Sequence, residues 1–308
     1  MSNSRKLEKS LLEQLKEMFE KGENLSQYLK SQNLYSIEAA QIIEMAYDLQ
    51  AGSYIRLHNS NPEFLEQYTE EMMEIIDPFL TNGVSILDAG CGELTTSTVL
   101  LNKISNYSIN YHAFDISWSR LFKGKTFQKS YDLNLAKNQI FVADISKIPL
   151  PEKSIDIVIT NHALEPNGSN LDVLLKELIR VTRKKLILFE PWYENNSVEG
   201  RARMDSHGYI KDLVNRCKHY DCIVDQVSAM KNLINPLNPT ACFIVTPPSE
   251  KFYKTNIKSE TYLTVPGSEE RLEFKDQVYF GKRSGYAFPI LKGIPILKLE
   301  NKIIASLL

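Results

Sequence analysis

The chain has 308 residues, 43% of them hydrophobic and 24% charged, with a formal net charge of −2. That length accommodates a large α/β domain plus a smaller satellite, and the balanced composition excludes a disordered or fibrous chain. The weakly acidic balance provides no general field for gathering nucleic acid, and apolar runs such as Leu186–Phe189 fall far short of the ~20 residues of a membrane span.

In chain order, residues from Arg5 to Met72 have a helical rhythm: Leu11, Leu12, Leu15 and Phe19, then Ile37, Ala40, Ile43 and Ala46, recur at three- and four-residue steps. A further helix is predicted over Pro62–Leu80. Asn61 supplies its N-cap, and Pro62 takes the first helical position, where a missing N–H costs nothing. Residues 1–80 thus read as an N-terminal helical extension. Strands are predicted at Val84–Asp88, Asn110–Phe114, Gln139–Ala143, Ile155–Thr160, Lys185–Phe189, Cys222–Val227 and Ala241–Val245, with helices starting near Thr95, Ser117, Asn170 and Asp205. This alternation indicates an α/β domain over residues 81–248, with seven strands in a mostly parallel sheet and helices on both faces. Beyond Pro247-Pro248, short β-like pieces with Gly267, Gly281, Gly285 and Gly293 at turns predict a small C-terminal β module over residues 249–308. Cys91, Cys217, Cys222 and Cys242 lack C-x-x-C spacing and read as buried reduced thiols.

The chemistry begins at Asp88-Ala89-Gly90-Cys91-Gly92, a strand end passing into a glycine-rich turn that lets backbone amides approach a ligand. Asp115, at the end of the second strand, is placed to accept hydrogen bonds from both hydroxyls of a ribose, and Ile116 follows it. Asp144 ends the third strand, where a carboxylate accepts from an exocyclic adenine amine while Ile145 packs on the ring. Three acids at successive strand ends imply an adenosine ligand. A dinucleotide is disfavoured, because the G-x-G-x-x-G spacing would need glycine at Thr95 and Glu93 would repel a pyrophosphate.

Residues 84–165 resemble class I S-adenosylmethionine (SAM)-dependent methyltransferases of the type 11 kind. The stretch Asp144…Ile148-Pro149-Leu150…Ser154-Ile155-Asp156-Ile157-Val158 is similar to that family's "D…LPF…FD.V" pattern. The resemblance implies a Rossmann-like sheet and SAM as cofactor, with S-adenosylhomocysteine (SAH) as product. It places Asp88, Gly90 and Gly92 at the methionine end, Asp115 at the ribose, Asp144 and Ile145 at the adenine, and Asn161 facing the sulfonium, with Cys91 and Ile116 beside them as further cofactor-binding residues. The family's frequent third glycine is Leu94 here, which predicts a first helix set slightly further from the cofactor.

Methyl transfer is an in-line displacement that needs a base only where the acceptor is a hydroxyl or a protonated amine. Asn161-His162-Ala163-Leu164-Glu165 follows the fourth strand, making His162 the leading base candidate beside Glu165; a histidine that merely holds the loop is the alternative. Tyr193, Arg201, Arg203 and Tyr209 belong to a polar, aromatic stretch expected to form a substrate loop, with His207 a further catalytic candidate. The arginines are suited to clamping an anion, or to pairing with Glu194 and Glu199. Tyr54, in a polar aromatic segment with Tyr47, Arg56 and His58, reads as part of a lid or as packing for the N-terminal helices.

The C-terminal pattern Gly285-Tyr286-Ala287-Phe288-Pro289-Ile290-Leu291-Lys292-Gly293-Ile294-Pro295 resembles the closing segment of the zinc-ribbon domain of the tRNA-methyltransferase activator family. That resemblance puts Val265, Ser268, Gly281 and Ser284 at the four thiolate positions, so no metal is expected. Leu272, Phe274, Val278, Phe280, Phe288 and Ile294 are then expected to hold the module, as a plain β cap or as a docking or homodimerisation surface. The expectation overall is a cytoplasmic enzyme methylating N or O of a small polar metabolite, such as a sugar, an amino acid derivative or a natural-product intermediate, without a nucleic-acid or membrane partner. RNA or protein methylation and a non-catalytic SAM-binding scaffold stand as alternatives.

Overall fold

A computed structural model describes residues 11–21, 28, 39–131, 133, 139–248 and 261–308. Arg5 and Ile37 of the expected N-terminal rhythm, and the 249–260 start of the expected module, lie outside them. In chain order the helices are α1 (Leu11–Glu20), α2 (Ala39–Leu49), α3 (Ser53–Ser60), α4 (Pro62–Ile76), α5 (Thr95–Lys103), α6 (Trp118–Gln128), α7 (Leu171–Val181), α8 (Val198–His207) and α9 (Leu213–His219). The main strands are β1 (Ser85–Ala89), β2 (Asn110–Asp115), β3 (Gln139–Val142), β4 (Ile155–Asn161), β5 (Thr182–Pro191), β6 (Ile223–Ala229) and β7 (Thr240–Thr246).

These seven strands form one sheet in the order β3-β2-β1-β4-β5-β7-β6, parallel except for β7, which runs antiparallel to both neighbours. The architecture is therefore the Rossmann-like sheet expected. Its central strands are apolar on both faces. Leu87, Val158, Leu186, Leu188 and Phe243 join one core cluster, whereas Ile86, Ile157, Ile187 and Ile244 join the other. Alternate residues of one strand thus enter opposite layers, as the period-2 geometry requires. Helix α7 covers the first layer with Leu171, Leu174, Leu175 and Leu178; α4 covers the second with Met72 and Ile76.

Local signals explain the helix starts. The Asn61 side chain accepts from the Phe64 amide at 3.3 Å with Pro62 at the first position, and Ser117 accepts from the Arg120 amide at 3.2 Å. Asn170 precedes α7 but makes no side-chain cap bond. The expected helix from Asp205 is instead two. Ser197 caps α8 by accepting from the Gly200 amide at 3.0 Å, Gly208 ends it in the left-handed region at φ 68°, and α9 follows.

The C-terminal residues form a sheet of β8 (Glu273–Lys275), β9 (Val278–Gly281), β10 (Tyr286–Phe288) and β13 (Ile303–Ile304), beside a hairpin of β11 (Ile290–Leu291) and β12 (Ile294–Pro295). Leu263, Val265, Leu272, Phe288 and Leu297 enter the main core cluster. Ile296 bridges Val142 in parallel, and the Leu297 amide donates to the Val142 carbonyl at 2.8 Å, so the module covers the β3 edge of the large sheet. Phe280, Phe288 and Ile294 are buried as expected, but Phe274 is 65% exposed because β8 is an edge strand. The four positions compared with zinc ligands gather around a carboxylate. A Cβ on Gly281 would lie 2.6 Å from Ser284 Oγ, 2.8 Å from Val265 Cγ2 and 3.2 Å from Glu270 Cδ, and Glu270 accepts from the Arg283 and Ser284 amides. Cys217, Cys222 and Cys242 are buried free thiols; Cys91 is only half-buried. Among the described residues no helix is long and apolar enough to cross a membrane, and no cluster of His, Cys, Asp or Glu is arranged to hold a metal.

Candidate active site

A cavity of about 430 Å³ opens at the carboxyl ends of β1, β2, β3 and β4, the crevice where open α/β sheets bind ligands. Asp88, Gly90, Cys91, Gly92, Asp115, Ile116, Asp144, Ile145, Asn161 and Tyr54 all line it. Gly90 sits at φ 80°, and a Cβ there would lie 2.5 Å from the Ala163 Cβ, so the turn is open only to glycine. Leu94 takes the left-handed conformation at φ 56°, and its side chain is fully buried. Burying a leucine stabilises by roughly 1.5–3 kcal/mol, enough to offset a left-handed cost of roughly 1–2 kcal/mol. Close approach near the turn comes from Gly124 on α6, where a Cβ would meet the Glu93 carbonyl at 2.5 Å.

Each acid is held by donors. Ser97 and Tyr111 hydroxyls donate to Asp88 at 2.5 and 3.3 Å, and burial nevertheless pushes Asp88 up to about 6. Asp115 accepts from the Gly92 and Ser117 amides, both at 2.9 Å; burial raises its pKa, opposed by the nearby Arg120 charge. Asp144 accepts from the Ser146 amide at 2.7 Å. Glu93, 1% exposed, accepts from the amides of Gly52 (2.8 Å), Ile55 (3.1 Å) and Tyr54 (3.4 Å). Its carboxylate satisfies the orphan amides that open α3 and fastens residues 52–55 to the glycine turn. Sequence reasoning saw only repulsion of phosphate in this residue.

The opposite wall is built on the loop after β4. Glu190, fully buried at the end of β5, accepts from the amides of Ala163 (3.1 Å), Leu164 (3.0 Å) and Glu165 (3.2 Å), and burial pushes it up to about 7. His162 has φ 54°; its Nδ1 closely contacts Glu165, and its Nε2 lies 2.7 Å from Thr240 Oγ1. Burial opposes the imidazolium, but Glu165 and Glu190 hold the His162 pKa above its ordinary value. Burial likewise opposes the Glu165 charge, yet His162, Tyr209 and Asn238 hold that pKa low. Asn161 accepts from the Tyr68 hydroxyl at 2.9 Å.

Of the expected acceptor-side residues, His162 and Glu165 line the cavity, and Tyr209 reaches it through Glu165. Tyr193, Arg201, Arg203 and His207 do not line it. Their expected loop is helix α8 with its flanks. The Tyr193 hydroxyl donates to Asp205 at 3.1 Å, Arg201 to the Asn196 carbonyl; Arg203 lies over the Tyr209 ring, and His207 Nδ1 is 2.8 Å from the Arg203 carbonyl. Asn232, Ile234, Asn235, Asn238 and Thr240 line the cavity in their place, together with Phe64, Tyr68 and Arg120. Glu71 pins this segment by accepting from the Lys231 and Asn232 amides at 2.8 and 3.3 Å. The turn-forming pairs Asn235-Pro236 and Asn238-Pro239 were the available sequence signal.

Comparison with known proteins finds likenesses to methyltransferases. A family model described as a methyltransferase domain matches residues 87–189. A 98-residue stretch is 35% identical to the 25S rRNA (adenine(645)-N(1))-methyltransferase of Saccharomyces cerevisiae; it spans 32% of this chain and 23% of that protein. A chain of the complex between the Haloferax volcanii Trm112 methyltransferase activator and a methyltransferase superposes with a TM-score of 0.50 at 10% identity, covering 66% of this chain and 99% of that one. The magnesium protoporphyrin IX methyltransferase of Synechocystis PCC 6803, solved with bound SAH, gives a TM-score of 0.48 at 12% identity over 59% of this chain and 83% of that one. Residues 87–189 match the methyltransferase-domain family, and the chain has the fold of class I SAM-dependent methyltransferases.

Proposed function

We propose that the protein methylates a nitrogen or oxygen of a small polar metabolite, such as a sugar, an amino acid derivative or a natural-product intermediate, using SAM and releasing SAH. The observation that carries this reading is the convergence of Asp88, Asp115 and Asp144, from three successive strands, on one cavity whose far wall is polar and aromatic. When bound, SAM supplies the methyl group. Asp88 with Gly90, Cys91 and Gly92 would hold its methionine end, Asp115 and Ile116 the ribose, Asp144 and Ile145 the adenine. Asn161 would border the sulfonium, and Tyr54 would cover the site as part of the Glu93-fastened lid.

The acceptor would lie among Phe64, Tyr68, His162, Thr240 and the asparagines. Once the ring is neutral, above its raised pKa, with Glu165 accepting from His162 Nδ1–H, the nitrogen facing Thr240 becomes the acceptor. A proton leaving the acceptor would pass to the Thr240 hydroxyl as that hydroxyl gives its own to His162 Nε2. We read the enzyme as cytoplasmic. Its C-terminal module, which resembles a zinc ribbon without its cysteines, would act as a built-in cover of the β3 edge. Calorimetry with SAH, followed by a SAM-turnover screen over metabolite pools, tests the reading. Wild type should bind SAH and consume SAM with one pool, and Asp115→Ala should do neither; equal SAH binding by both proteins would sink the site assignment.

The stretch shared with the rRNA enzyme favours RNA as a second acceptor class. Turnover on RNA with affinity that falls steeply with salt would establish it over the metabolite reading.

A further inference from the structure

Arg120 on α6 is only 5% exposed, and it is the one arginine or lysine among the described residues lining the cavity. Three contacts fix it. Its Nε donates to the Tyr47 carbonyl at 3.2 Å, and its guanidinium carbon lies 4.2 Å from the Tyr47 ring centroid and 5.2 Å from that of Tyr54. Nη1 faces the glycine turn, 3.7 Å from where a Gly92 Cβ would be. Nη2 is buried with no hydrogen-bond partner. A buried charged donor left unsatisfied is costly, and the planar guanidinium cannot turn one nitrogen away while the others stay bound.

Asp115 has the complementary excess. Each of its oxygens accepts one backbone amide, so lone pairs remain for further donors. A carboxylate only accepts and a guanidinium only donates, so neither alone satisfies a hydroxyl, which does both. An anionic ligand group at Nη2 would also meet the Asp115 and Glu93 charges; a neutral diol would not. We propose that Arg120 is a cofactor-binding residue that reads the ribose diol of SAM, its Nη2 donating to a hydroxyl oxygen whose proton Asp115 accepts. This rests on the SAM reading of the cavity. Because Arg120 also holds Tyr47 and Tyr54, occupancy of the diol site and closure of the lid segment are joined in one side chain.

Titration calorimetry with SAH and its 2′-deoxy and 3′-deoxy analogues separates the roles, using wild type, Arg120→Met and Lys123→Ala. Lys123 donates to the Ala51 carbonyl at 2.6 Å, a tie of the same lid made outside the cavity lining. Wild type should bind SAH about tenfold more tightly than at least one analogue, the scale of a hydrogen bond to a charged group. Arg120→Met should lose about tenfold on SAH and much less on that analogue, whereas Lys123→Ala should shift all three ligands by one common factor. Arg120→Lys, which keeps the charge beside the tyrosines but lacks the second nitrogen, should lose the same discrimination; melting without ligand verifies that each variant folds. An equal loss on all three ligands in both Arg120 variants, or no loss, overturns the proposal. Absence of SAH binding by wild type itself overturns the SAM reading as well, a failure visible before any substitution.

Discussion

Asp88 shows how a single carboxyl can set the working pH of a binding site. Burial raises its pKa to about 6, so the free protein carries a neutral acid below that value and a carboxylate above it. On the proposed placement, the α-ammonium of the cofactor's amino-acid end favours the carboxylate, so SAH affinity should fall as pH drops below about 6, by up to about tenfold per pH unit. Asp88→Asn should flatten that slope in calorimetry. His162 and Glu165 shift in opposite directions. The raised His162 value makes its contribution to stability complete below its unfolded pKa near 6.5 and lost as pH rises through the folded value. The lowered Glu165 value makes its contribution complete above about 4.5 and lost as pH falls through the folded value. The pair therefore stabilises the loop most between those limits. The melting temperature of His162→Gln should fall below wild type near pH 6, with the gap narrowing above pH 7; a gap constant with pH would contradict the pairing. That the three acids and His162 would border one cavity was legible in the sequence because strand ends announce themselves. Arg120 could not: a buried arginine within a polar helix has no periodic signature, and its partners lie some seventy residues upstream.

At the scale of elements, the bonds from Glu93 to residues 52–55 tie α3 to the glycine turn, the contact on which the proposed lid depends. Glu93→Ala removes the acceptor of three backbone amides and leaves them without a protein partner, a cost of roughly 1–3 kcal/mol for a buried group. Faster amide exchange over residues 52–60, with weaker SAH binding, is the expected result; unchanged exchange would show that the lid is held elsewhere. Gly90→Ala meets both a positive φ and the Ala163 side chain, so a loss of roughly 1–3 kcal/mol in melting experiments is expected. The strands were legible because their apolar runs are continuous and bounded by turns. Helix α8 was not, because Glu199, Arg201 and Arg203 spread charge around a helix with just Gly200 and Met204 buried, leaving little apolar stripe to read. The segment bearing Asn232, Asn235 and Asn238 was equally opaque, since its place over the cavity depends on Glu71, a residue some 160 positions earlier.

For the whole molecule, the C-terminal module belongs to the core as much as to the surface. Leu263, Val265, Leu272, Phe288 and Leu297 are all buried in the cluster beneath β1 and β4. At roughly 1.5–3 kcal/mol for each buried side chain, their removal is comparable with the total stability of a domain, about 5–15 kcal/mol. A chain ending at Pro248 should therefore be insoluble or melt far below the intact protein, and recovery of a soluble, SAH-binding truncation would contradict this. The packing of the module could be anticipated from its apolar residues. Its pairing with β3 could not, since no local pattern joins Ile296 to Val142.

That pairing bears on how the protein is made. About 150 residues separate the two partners, so β3 leaves the ribosome long before the segment that will cover it. Until Ile296 has emerged, the growing chain presents an open strand edge on an otherwise apolar sheet. The period of greatest vulnerability to aggregation is set by translation speed between the codons for Val142 and Ile296, so slowing synthesis there should lower soluble yield without altering a single side chain.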